Sequence, residues 1–140
     1  MHWFLAITFL VGGLCGARAT DVDFKAVMKD LKGDALTYCQ EADKDRPQKC
    51  VDTREWTLRD LAVSALVMQE QNEAPLDQVH RAALAQAIYV GAVAELDSKD
   101  TDALCEAVGR FVNRTGQSAV LTMRAWEVLD PARLKKAANQ

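Results

Sequence analysis

DFKAVMKDLKGDALTYC, Asp23 to Cys39, sets Phe24, Val27, Met28, Leu31, Ala35, Tyr38 and Cys39 at spacings of three and four. Those spacings predict one apolar face of a helix. Gly33 is a weak point in its middle, costing about 1 kcal/mol relative to alanine. EADKDRPQK, Glu41 to Lys49, ends the predicted helix, because Pro47 forbids continuation and the charges keep the turn wet. With this stretch read as helix, no strand pattern remains anywhere in the chain.

Downstream, Asp52-Thr-Arg-Glu55 has capping-box spacing, and Thr57-Leu-Arg-Asp60 offers a second N-terminal signal a turn later. The body from Leu61 to Met68, LAVSALVM, is apolar nearly all round and predicts a central, buried helix. QEQNEAPLD, Gln69 to Asp77, is a polar connection with Pro75 placed for a first helical turn. A third helix of about 20 residues follows, with Leu76, Val79, Ala83, Ala87, Val90 and Ala94 in one stripe. DSKDTD, Asp97 to Asp102, supplies the next N-cap. Leu104, Val108, Phe111 and Val112 mark a fourth helix ending at Gly116, and Ala119 to Leu129 a fifth. Asp130-Pro131 opens a short sixth. The expected fold is all-α, a small single-domain bundle of five to six helices over residues 20–140.

The first nineteen residues, MHWFLAITFLVGGLCGARA, have the shape of a secretory signal: an apolar run from Trp3 to Leu14, then Ala17-Arg18-Ala19. The run falls well short of the roughly 20 residues that span a bilayer. Cleavage after Ala19 removes Arg18, so the net charge of −3 becomes −3 − 1 = −4. About 120 residues remain, enough for one core. Mild acidity argues against a nucleic-acid partner, which demands clustered Lys and Arg. No later stretch is long or apolar enough to cross a membrane.

Cys15 leaves with the signal, and Cys39, Cys50 and Cys105 remain in an oxidising compartment. One disulfide and one free thiol is the simplest arrangement, and spacing alone does not choose the pairing. Cys39–Cys50 is favoured, because a helix end and the turn after it are neighbours in any fold; Cys105 is then a small buried hydrophobe. Closing that loop of about a dozen residues restricts the unfolded chain by roughly 3 kcal/mol. A metal site is disfavoured, since there is no C-x-x-C and His80 is the only mature histidine.

No catalytic constellation is evident. His80 lies at the edge of an apolar stripe with no histidine or cysteine at helical reach. Ser64 and Ser118 sit in no G-x-S-x-G. No enzyme activity and no cofactor is expected. The charged turns remain as surfaces for gripping a partner, gaining charge-assisted hydrogen bonds once water leaves.

DLKGDALTYCQEADKD, Asp30 to Asp45, resembles the first helix of the type VI secretion amidase immunity proteins, with its aromatic-cysteine pair. AIYVGAVAELDSKDTDALCEAVGRFVNRTG, Ala87 to Gly116, resembles the family's middle helices, and LTMRAWEVLDPARLKKAA, Leu121 to Ala138, its ending. The chain departs from the pattern at Ala125, where the family usually has a cysteine that Cys39 would reach. The resemblance implies a periplasmic protein, in many cases a homodimer. Its partner would be a cognate secreted peptidoglycan amidase effector, whose active cleft it occludes. On charge and exposure, the expected contacts are Glu70, Asn72, Glu73 and Asp77 in one turn, and Asp97, Lys99, Asp100 and Asp102 in the other. The alternative is an exported helical binding module, for another protein or for a small apolar ligand held between the alanine-rich helices.

Overall fold

The computed structural model describes residues 20–140, and the expected signal segment lies outside them. The described residues form five helices and two two-stranded antiparallel sheets, so the fold is mixed α and β and the all-α expectation is wrong. The error sits in the stretch from Asp23 to Cys39. Val22, Phe24 and Met28 are buried and Ala26 packs against the same core, while Asp23, Lys25 and Lys29 face solvent. The segment is not helical: the chain turns at Asp23–Ala26, where Ala26 N donates to Asp23 O (3.2 Å). It is extended only after that, Val27 bridging to Thr57 and Lys29 to Ala35. Its burial competes with the helical spacing through the shared residues Phe24 and Met28. Leu31, which the helical face needs inside, is 75% exposed.

Local chemistry decides between the two patterns. The Asp30 carboxylate accepts from the backbone of Lys32 (2.8 Å) and Asp34 (2.9 Å). Gly33 takes φ 94°, which only glycine adopts without strain. The chain therefore turns at Asp30–Asp34 and runs back. After β1 (Thr20–Asp21) come β2 (Thr37–Ala42) and β3 (Cys50–Glu55), paired from Thr37↔Glu55 to Ala42↔Cys50 with a bulge near Glu41. The Asp52–Glu55 capping box is thus part of a strand.

Cys39 and Cys50 form the disulfide across this hairpin, and Cys105 is a free, fully buried thiol. The staple joins two strands rather than a helix end and its turn. Beyond it, the Asp43 carboxylate accepts from the backbone of Asp45 (2.8 Å) and Arg46 (3.1 Å), folding the exposed tip. At the base, Met28 donates to Trp56 O, Trp56 to Leu36 O, and Leu36 to Met28 O. Tyr38 stacks on Trp56 (4.2 Å between centroids), and Trp56 meets the edge of Phe111 (6.0 Å), which fixes the hairpin to the helical core. Arg124 clamps the turn from the other side, donating to Lys29 O (2.9 Å) and Asp30 O (3.1 Å).

The helices are α1 (Leu58–Val67), α2 (Pro75–Tyr89), α3 (Ser98–Thr115), α4 (Ala119–Leu129) and α5 (Pro131–Ala138), with β4 (Glu95–Leu96) paired to β1 before α3. Thr57 caps α1, its side chain accepting from Asp60 N. Leu58, Leu61, Ala62, Ala65 and Leu66 are buried, so α1 is the central helix. Each of its fully buried leucines contributes roughly 1.5 to 3 kcal/mol. α2 and α3 both pack on α1, α4 on α3, and α5 on α4. Asp97, Ser118 and Asp130 cap α3, α4 and α5, and Gly116 ends α3 at φ 67°.

The phase of α2 differs from the expected stripe. Its buried residues are Ala85 and Ile88, with Leu84 packed beside them. Leu76 (79%) and Val79 (64%) are exposed, and Val90, just past the helix end, is 59% exposed. The helix ends at Tyr89, several residues before Ala94.

Candidate functional site

α2 and α3 both seat on α1, and a groove of about 470 Å³ opens between the start of α2, Leu76 to Arg81, and α3 from Lys99 to Arg110. Pro75 at the first position of α2 fixes its entry. Asp97 fixes that of α3, accepting from Asp100 N at 2.7 Å while its carbonyl takes the Thr101 hydroxyl at 2.8 Å. Its apolar lining is Leu76 and Ala103, and the other lining residues carry charge of both signs.

Glu73 and Asp77 come from one expected turn, Lys99 and Asp100 from the other, and all four line this groove. Glu70 and Asn72 line a neighbouring concavity of about 880 Å³ around the α1–α2 connection. Asn72 sits there at φ 60°, a left-handed conformation that asparagine tolerates. Asp97 serves as a cap, and Asp102 pairs with Arg133 of α5 (2.6 Å), away from the groove.

Several of these charges are engaged within the molecule. Glu70 meets Arg110 (2.9 Å) and Arg114 (3.0 Å). Burial pushes its carboxyl up, but the Arg110 hydrogen bond and the charges of Arg110, Arg114 and Arg81 prevail and hold it below the ordinary range. Glu73 pairs with Arg81, whose Nε lies 2.7 Å from Oε1. The same guanidinium donates to Leu66 O (3.0 Å) and Met68 O (3.1 Å), capping the end of α1. The Glu73 hydrogen bond, opposed by burial, raises the pKa of Arg81. Asp77 and Lys99 make no ion pair among the described residues.

Two lining residues, His80 and Arg81, are not among the expected contacts. His80 Nε2 lies 3.1 Å from Asp100 Oδ1, a partner on another helix that helical spacing could not reveal. The pair is exposed, and the groove lining holds no serine, threonine or cysteine to serve as nucleophile. Arg81 shares the inward phase of Leu84, Ala85 and Ile88, a face that the expected stripe of Leu76, Val79, Ala83, Ala87 and Val90 leaves outside. Its bonds to Glu73 and to the Leu66 and Met68 carbonyls are what make that position tenable.

A second concavity, of about 540 Å³, lies between α3, α4 and α5 and is lined by Val112, Met123, Trp126 and Leu134. No alanine-rich α2 residue contributes to it. Among the described residues, no group of three His, Cys, Asp or Glu side chains is placed to hold a metal ion. No described helix is long and apolar enough to cross a membrane. Comparison of the chain with protein-family models, with curated proteins and with solved structures finds no match.

Proposed function

We propose that this protein is an exported inhibitor that binds a secreted cell-wall amidase in the periplasm and occludes its active cleft. One observation carries the reading: residues of two polar turns far apart in sequence line a single groove, with the charges of Asp77 and Lys99 left for a partner. A surface built from two helix entries on a rigid core is preorganised, and preorganisation lowers the entropic cost of binding. The Cys39–Cys50 disulfide is compatible with an oxidising compartment.

The partner class comes from the resemblance to type VI secretion amidase immunity proteins. Two of the stretches that carry it, Ala87–Gly116 and Leu121–Ala138, are mostly helical here, as the resemblance implies. The third, Asp30–Asp45, is turn and strand rather than the family's first helix. The reading therefore leans on the second half of the chain.

The test is co-purification of residues 20–140 with the product of the neighbouring gene, followed by an assay of peptidoglycan hydrolysis. A stable complex without amidase activity is expected. Reversing the two unpaired charges, Asp77→Lys with Lys99→Glu, is expected to weaken that complex at least about tenfold, the loss of roughly 1.4 kcal/mol. The thermal midpoint should be unchanged. Absence of a complex, or full amidase activity within it, refutes the reading.

A further inference from the structure

The concavity between α3, α4 and α5 differs in chemistry from the charged groove. None of its lining residues is ionisable, although 26% of the chain is charged. Its walls are Val112, Met123, Trp126 and Leu134. Asn113, Gln117 and Thr122 supply neutral donors and acceptors, and their side chains hydrogen-bond to nothing among the described residues. Trp126 is pinned in the wall, because its indole N–H donates to Cys105 O at 3.1 Å.

Gly109 is a second, independent sign. It lies inside α3, where glycine is unfavourable relative to alanine. Its φ is not left-handed, and a Cβ built there meets no atom within 4 Å, so neither a turn nor close packing demands it. Its missing side chain leaves the concavity open at that point.

We infer that this concavity is a binding site for a neutral, largely apolar small molecule. Its volume falls in the range of small-molecule sites, and apolar walls with a few neutral polar groups are their usual lining. A charged ligand is disfavoured, because no lining residue carries a counter-charge and Arg133, which lies over the Trp126 ring, is already paired with Asp102 and Asp130. The inference is independent of the amidase reading, since none of these residues belongs to the α2–α3 groove.

The probes are N-phenylnaphthylamine and its sulfonated counterpart, which share a ring system and differ by one anionic group. Fluorescence titration of residues 20–140 is expected to show saturable binding of the neutral probe at one site per chain. The sulfonate should bind at least about tenfold more weakly. Gly109→Leu fills the space and is expected to weaken the neutral probe about tenfold or more, with the circular dichroism of the parent retained. Should that variant fail to fold, Ala119→Leu blocks the site from α4 and carries the same expectation. Val79→Ser, on the exposed face of α2, should leave binding unchanged. The inference is overturned by no saturable binding, by equal binding of the sulfonate, or by loss with Val79→Ser while a folded Gly109→Leu or Ala119→Leu still binds. A free chain that ignores the probe, with an amidase complex that Gly109→Leu disrupts, also overturns it, since a partner side chain then occupies the site.

Discussion

Arg81 shows how one side chain can tie three parts of the molecule together. Its guanidinium pairs with Glu73 in the α1–α2 connection and closes the carbonyls of Leu66, in α1, and of Met68 just past its end, from a position on α2. Both partners of the ion pair are largely buried, with side chains 12% and 15% exposed. Removing one partner from such a pair strands the other charge and leaves carbonyls unmet. Arg81→Ala is therefore expected to destabilise by about 3 kcal/mol, read from the denaturation midpoint. Arg81→Lys should recover little of that, because an ammonium lacks the planar fork that reaches a carboxylate and two carbonyls together. Full rescue by lysine would mean that charge alone matters. Little of this was legible in the sequence. Arg81 stands among alanines, and its bonds depend on how α2 docks.

At the scale of elements, what was legible divides by where each helix gets its definition. The starts of α3 and α5 and the Gly116 end of α3 are readable from caps and a proline, because those signals act within a few residues. The segment before α1 was misread, because Phe24 and Met28 satisfy both a period of two and a period near 3.6. The decision falls to Gly33, the Asp30 turn and the pairing with Trp56, and only the last is long-range. Mutation separates the two patterns. In the extended arrangement Met28→Ala removes a fully buried side chain and should cost about 3 kcal/mol. Leu31→Ala, at a position 75% exposed, should stay within about 0.5 kcal/mol. In a helical stripe both would be costly. Similar losses at the two sites by chemical denaturation would restore the helix.

At the scale of the whole molecule, the two expected contact turns are legible as polar, but the engagement of Glu70 and Glu73, whose side chains are only 12% and 15% exposed, and the convergence of the turns are not. The convergence arises because α2 and α3 share α1 as a seat, which no local pattern encodes. The same arrangement makes cohesion depend on pH. Glu70 joins the α1–α2 connection to Arg110 and Arg114 of α3, and Glu106 shares Arg110 at 3.8 Å. Its folded pKa lies below the ordinary value of 4.5. The unfolded chain thus takes up the proton first as pH falls, and the stabilisation is complete above 4.5 and lost as pH drops through the folded value. Glu70→Gln keeps the shape and removes the charge permanently. It is expected to destabilise by about 1.5 kcal/mol at neutral pH, the scale of a hydrogen bond to a charged group. As pH falls below 4.5 the gap should narrow, because the parent's carboxyl takes up its proton first in the unfolded chain and the charge's contribution is progressively lost. Urea denaturation of both proteins across that range measures it. A gap that persists unchanged into acid would assign the effect of Glu70 to packing rather than charge.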